Sequence, residues 1–274
     1  MLTLLLLALA QDPTLTASTV EKAPALDGKA DDECWVKAKE LKVAVADAME
    51  PEKGKSVVTL KAVRKGDEVF VMMSWKDETE SAQHKPWVWD KEKNEYIEGS
   101  DIEDSAMIGF SLAGEFDANM LAGIESTWDA WHWKAARTNP AGFAQDRRHI
   151  YALKKPETKA MKYKSLTGSD VWILRPEDEG KPVTAKAAKP AAKGGNVVAQ
   201  FTAQSPEKSA ADIRAKGAWK DGTWTLEFAR KLDTGHADDA AFTPGTAVAM
   251  AVAILDASEE SHSVSGKVQL LVEK

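Results

Sequence analysis

An all-β antiparallel sandwich, immunoglobulin-like or jelly-roll in kind and carrying a long mobile insertion, is the fold expected for this 274-residue chain. Three observations point there. Apolar runs of strand length recur along the chain, tight turns containing Gly and Asp separate them in pairs, and convincing amphipathic helices are few. With 43% hydrophobic and 29% charged residues, the chain has the material for a substantial core and is neither a disordered tail nor a multispan membrane protein.

In chain order, the first element is an export signal over residues 1–10. Leu2 to Ala10 is almost wholly apolar and ends in Ala8-Leu9-Ala10, an A-x-A cleavage pattern ahead of the polar Gln11-Asp12-Pro13. The run is too short to span a bilayer, so residues 11–274 are expected as one exported domain, periplasmic or extracellular, without a transmembrane segment. Ala23 to Trp35 reads as an extended entry, a turn at Gly28 and a buried tryptophan, with Cys34 a small buried hydrophobe. Ser56 to Val63 and Glu68 to Trp75 flank Arg64-Lys65-Gly66-Asp67 and form a β-hairpin, which places Met72 and Met73 on opposite faces. A strand over Thr127 to Ala135 sets Trp128, Ala130 and His132 on one face and Asp129, Trp131 and Trp133 on the other. Pro176 to Gly195, rich in Pro, Gly, Ala and Lys, is the mobile surface loop. Its Lys181, Lys186, Lys189 and Lys193 are either simply solvated or a docking patch for an acidic partner. A second hairpin turns at Asp221-Gly222. Lys267 to Val272 is a further strand, and Ala247 to Leu255 is another, although its alanines alone would also suit a helix.

Charge and cysteine count remove whole classes of function. Against 36 basic side chains stand 43 acidic ones, a formal charge of −7 that disfavours nucleic acid or anionic lipid as partner. The single cysteine, Cys34, excludes intrachain disulfides, multi-thiolate zinc sites, iron–sulfur clusters and CxxCH attachment of haem c. There is no G-x-S-x-G elbow, phosphate-binding G-x-x-x-x-G-K-[ST] loop or H-E-x-x-H helix, so independent catalysis is not expected. Glu103 and Asp104 are adjacent and diverge on a strand, which suits turn and strand-edge roles better than a glycosidase pair or, with Asp101, a calcium site.

Two resemblances sharpen the picture. The Ala25-Leu26-Asp27-Gly28 entry followed by Trp35 resembles the start of family-nine carbohydrate-binding modules, which are β-sandwiches. Trp75-Lys76-Asp77-Glu78-Thr79, then Glu103-Asp104, then Asp129-Ala130-Trp131-His132-Trp133-Lys134-Ala135-Ala136-Arg137, together with Gly217 to Trp224 and Ser261 to Gly266, resemble the haem-binding domain of ethylbenzene and dimethyl sulfide dehydrogenase gamma subunits. The resemblance covers most of residues 20–272 and implies a sandwich that holds one haem and passes electrons. Members with covalent haem carry CxxCH where this chain has Phe116 to Ile124, so the implied cofactor is non-covalent haem b.

The same resemblance implies the site residues. Gamma subunits hold the haem between a methionine from this interval and a lysine near the C-terminal end. Met120 stands in the first region and His262 takes the approximate place of the lysine, so these two are the implied axial ligands of the haem iron. Thioether and imidazole are competent donors, and methionine ligation raises the reduction potential. The plain readings beside these are a Met120 that fills the core and a His262 on the surface. For His132 three roles are open: ligand, propionate donor or packed histidine. Lys134 and Arg137 are propionate partners or solvated bases, and Trp131 and Trp133 are pocket walls or core. The function implied is an exported electron-transfer protein, or a subunit of a periplasmic oxidoreductase with a redox partner protein. The competing class is a haem-free module that binds a carbohydrate or other small ligand on a tryptophan-lined face.

Overall fold

The computed structural model describes residues 12–47, 50–259 and 261–274. The expected export signal over residues 1–10 lies outside the described residues. In chain order the strands are β1 (Thr14–Thr19), β2 (Leu41–Asp47), β3 (Ser56–Lys65), β4 (Glu68–Lys76), β5 (Trp87–Asp90), β6 (Glu95–Glu98), β7 (Ser105–Gly114), β8 (Ser126–Lys134), β9 (Gln145–Ala152) and β10 (Met161–Lys164). There follow β11 (Asp170–Leu174), β12 (Thr184–Lys186), β13 (Val197–Val198), β14 (Phe201–Ala203), β15 (Arg214–Trp219), β16 (Thr223–Lys231), β17 (Ala247–Leu255), β18 (Ser263–Ser265) and β19 (Val268–Val272). One short helix, α1 (Glu33–Lys37), carries Cys34 and Trp35 into a buried position. Among the described residues no helix is long and apolar enough to cross a membrane.

Both expected hairpins form, and the reason is local. β3 and β4 are rich in β-branched and apolar residues, and Gly66 takes the positive φ of 61° that their tight turn requires. β15 and β16 turn in the same way through Asp221 and Gly222, both at positive φ. The main sheet runs β10-β11-β9-β8-β7-β17-β18-β2-β3-β4-β16-β15, with β1 and β19 inserted as a second link between β3 and β17. Because that sheet closes over itself, β7 and β8 face β3, β4 and β16. Ile108, Phe110, Trp131 and Trp133 from the first group pack with Leu60, Met73, Trp75, Trp224 and Phe228 from the second in one apolar cluster. This is the two-layer arrangement of a sandwich. The alanines of β17 form strand rather than helix, since β17 lies between β7 on one edge and β18 and β19 on the other.

Met72 and Met73 do point opposite ways, and both are buried. Met73 joins the main cluster, whereas Met72 packs with Cys34, Trp35 and Phe70 beneath α1. The Pro176 to Gly195 segment lies against the body. It contributes β12, which pairs with β14, and it buries Val183. The amides of Gly194 and Gly195 donate to Tyr96 Oη at 3.1 Å, and Lys189 pairs with Glu95 at 2.5 Å. Lys189 and Lys186 thus meet acids of the same chain, Lys186 approaching Glu98 at 3.8 Å, while Lys193 lies over the Trp89 ring at 5.5 Å.

Candidate functional site

β8 divides two environments. Trp131 and Trp133 point inward, where Trp131 lies 4.7 Å from the Phe110 ring and Trp133 lies 5.0 Å from the Trp224 ring, centroid to centroid. Trp128, Ala130, His132 and Lys134 point outward. Directly paired residues of an antiparallel ladder share a face, so the registers His132 with Met107 and Gln145, Ala130 with Gly109 and Arg147, and Trp128 with His149 assemble one outer surface. Trp131 and Trp133 therefore lie on the core side of β8 and His132 on the other, as the strand alternation places them.

His132 is half-buried, with Nε2 3.3 Å from Ser105 Oγ. His149 is buried at 4% exposure; its Nδ1 lies 3.4 Å from Tyr151 Oη, and its Nε2 has no hydrogen-bond partner. Trp128 Nε1 is likewise buried without a partner. Phe116 stacks on Trp128 with ring centroids 4.7 Å apart, and Met120 packs partly buried beside Phe116 against Trp128, Tyr151, Val171 and Ile173. His262 is half-buried immediately before β18. A cleft of about 360 Å³ opens between Phe116–Asn119 and Val264–Lys267. The loop that leads into Met120 and the strand that leads out of His262 are thus its two walls.

Electrostatics disfavour the charged forms of His132 and His149. Burial is the chief cause that holds His149 well below the usual histidine range, followed by the positive charges of Arg175, Arg147 and Lys134 and by nearby His262. Burial acts first on His132 as well, followed by Lys134, Arg147 and His149. A neutral imidazole offers a lone pair to a metal or a hydrogen-bond donor. Lys134 is also pushed well down, first by burial and then by Arg137 and Arg147. Its Nζ donates to Gln145 Oε1 at 2.6 Å, and Arg147 Nη2 meets Glu177 at 3.0 Å. An anion placed on this face would relieve the mutual repulsion of these bases.

Arg137 belongs to a neighbouring cleft. Its Nε donates to Glu103 Oε1, and its guanidinium lies 5.3 Å from the Phe201 ring centroid. That cleft, about 270 Å³ in volume, is also lined by His84, Gln200 and Phe201. Glu103 and Asp104 are the structural anchors their adjacency implied. Glu103 accepts the amides of Ala136 and Arg137, while Asp104 accepts the amides of Ser81 and Ala257 and Trp224 Nε1.

The residues that sequence reasoning missed are His149, Arg147 and Trp128. Strand alternation in Gln145–Ala152 puts Arg147, His149 and Tyr151 on one face. Nothing in that alternation tells which face meets the histidine of β8. An exposed aromatic platform does not form from the tryptophans: Trp35, Trp75, Trp128, Trp131, Trp133 and Trp224 are all buried. The half-buried Trp87, Trp89, Trp172 and Trp219 lie on three separate strands.

A family model described as ethylbenzene dehydrogenase matches residues 32–265. No curated protein matches this chain. Among solved structures, a family-nine carbohydrate-binding module from Caldicellulosiruptor kristjanssonii in complex with glucose is similar at a TM-score of 0.43 and 10% identity, over 95% of this chain and 97% of that one. The same module with cellotriose gives a TM-score of 0.42 at 8% identity, over 95% of each chain. A Bacteroides uniformis protein described as carbohydrate-binding gives 0.42 at 10% identity, over 96% of this chain and 100% of that one.

Proposed function

Because this chain belongs to the ethylbenzene dehydrogenase family, we propose that it binds one non-covalent haem b and passes electrons, as an exported carrier or as a subunit of a larger periplasmic oxidoreductase. The observation that carries the reading is the cleft whose two walls lead to Met120 and His262, together with a buried His149, near His262, whose Nε2 has no partner. A buried ring nitrogen without a partner is costly to the chain alone and fits a site that a ligand completes. The donor chemistry also fits: thioether and neutral imidazole suit a haem iron, and Lys134 and Arg147 supply the positive charge that carboxylate-bearing edges seek.

In this reading Met120 and His262 would supply the donors to the haem iron, while His132 and His149 would help hold the group from the strand face. Phe116, Trp128 and Tyr151 exclude water from the Met120 side. When bound, the haem supplies a one-electron iron couple. Trp131 and Trp133 stay in the core and serve by fixing the position of β8.

A haem titration followed by visible spectroscopy tests the proposal. One equivalent should bind, give a low-spin spectrum with sharp reduced α and β bands, and be extracted completely by acidified organic solvent. Met120→Ala should lower the reduction potential or open a coordination position, and His262→Ala should abolish the low-spin spectrum. His132→Ala and His149→Ala should bind haem several-fold more weakly and keep the low-spin spectrum. Loss of that spectrum in His149→Ala but not in His262→Ala would move the imidazole ligand to His149. A wild-type protein that binds no haem under any of these conditions ends the electron-transfer reading.

A further inference from the structure

On the inner face of β8 and β9, behind the histidines, four aspartates converge. Asp129 and Asp146 come from those strands; Asp146 pairs in register with Trp131, which shares its face with Asp129. Asp239 comes from the turn after β16, and one ligand oxygen from each of Asp129, Asp146 and Asp239 lies within 4.8 Å of the others. Asp178 stands outside that triad and beside it: a bridge pairs Glu177 with Arg147, and the Asp178 amide lies 3.4 Å from the Asp146 carbonyl oxygen. Exposures are 1% for Asp129, 2% for Asp146, 6% for Asp178 and 8% for Asp239.

Their oxygens are poorly served by the protein. Both carboxylate oxygens of Asp146 and both of Asp178 are buried with no hydrogen-bond donor, as is Asp129 Oδ1. Of the two guanidiniums near them, Arg230 donates to Asp129 Oδ2 at 2.5 Å and lies 3.4 Å from Asp239 Oδ1, while its other end is bound to the Ala240 carbonyl, and Arg148 pairs in register with Asp129 on the same face of β9. Four buried carboxylates against two guanidiniums, Arg230 and the half-buried Arg148, still leave negative charge short of compensation, a state that proteins avoid by pairing, protonation or metal binding. The group that would remove the penalty must be positive, small and hard. The donor atoms of the triad are carboxylate oxygens, and the nearest imidazole, His236, approaches only Asp239 Oδ2, at 3.9 Å, so thiolate- and imidazole-seeking metals are disfavoured. Oxygens that all lie within 4.8 Å of one another fall within the reach of calcium–oxygen bonds of about 2.3–2.6 Å on opposite sides of one ion. Magnesium keeps several waters and demands a near-octahedral shell, for which carboxylates buried to 8% exposure or less leave little room.

We propose that Asp129, Asp146, Asp178 and Asp239 bind one structural calcium ion. The ion ties β8 and β9 to the Glu177–Asp178 segment and to the turn after β16. It therefore braces, from behind, the two strands whose outer faces carry His132 and His149.

The test needs no haem. Chain purified without chelator should contain about one calcium per molecule by mass spectrometry of the elements. EDTA should lower its thermal unfolding midpoint. Calcium chloride at a hundred-fold excess over Kd should restore the midpoint, by about 5 °C or more, and equal magnesium chloride should not. Asp146→Asn and Asp178→Asn should keep the β-rich circular dichroism spectrum and lose the response to calcium. If either variant fails to fold, direct calorimetric titration of calcium into the chelator-treated wild type decides. Wild type that carries no calcium, takes up none at millimolar concentration and shows no change in midpoint overturns the site and leaves shared protons as the means of neutralising these acids.

Discussion

Glu227 shows how one side chain on β16 holds a distant part of the chain. Its Oε1 accepts Trp35 Nε1 at 2.7 Å, and its Oε2 accepts the amides of Gly28 and Asp27 at 2.8 and 2.9 Å. Burial pushes this carboxyl above its ordinary range, while the three donors pull it back toward ionisation. Glu227→Ala should strand all three donors and cost about 3 kcal/mol in urea unfolding, with Glu227→Gln costing clearly less because one acceptor oxygen remains. A loss below about 1 kcal/mol for the alanine variant would show that water reaches this corner. The entry segment from Ala25 to Trp35 was legible as an extended run, a turn and a buried tryptophan; its anchor, some 200 residues away, was not. His149 is the same lesson at the candidate site. Its residue type and strand periodicity were visible, but its buried, unpartnered nitrogen arises only when β8 and β9 pair.

Strands set limits that composition does not reveal. Gly217 on β15 approaches the indole of Trp133 so closely that an added Cβ would fall 2.5 Å from the ring. Gly217→Ala should therefore overpack the interface between β15 and β8, cost about 2 kcal/mol in denaturant unfolding and shift tryptophan fluorescence as Trp133 moves. An unchanged fluorescence maximum with unchanged stability would mean that the backbone of β15 gives way instead. β17 makes a related point. Ala247 to Leu255 alone suits helix or strand, and two occupied edges decide for strand by satisfying its amides and carbonyls.

At the scale of the molecule, the ladders tie both ends of the chain together. β4 pairs with β16 from Lys76–Thr223 to Glu68–Lys231, β7 pairs with β17, and β1 pairs with β19. All three ladders join residues on opposite sides of the exposed Ala191–Gly194 stretch. A single cut after Lys193 should leave two fragments that co-elute in native gel filtration and part only in denaturant. Fragments that separate and remain folded would show two independent domains instead of one. Charge acts at this scale as well: lysines of the Pro176 to Gly195 segment pair with Glu95 and Glu98 beside it.

Local chemistry was enough to establish the β class, both hairpins, the alternation along β8 and the exclusion of covalent haem, because each rests on neighbours in the chain or on a residue count. Which faces meet was decided only by the folded chain. Trp131 and His132 are adjacent in sequence, yet one lies in the core and the other on the opposite face of β8 beside Ser105. The aspartate cluster draws on residues 129, 146, 178 and 239, each unremarkable in its own segment. Strand periodicity assigns side chains to two sides without saying what covers either side, and only long-range pairing gives each side its solvent, its partners and its charge.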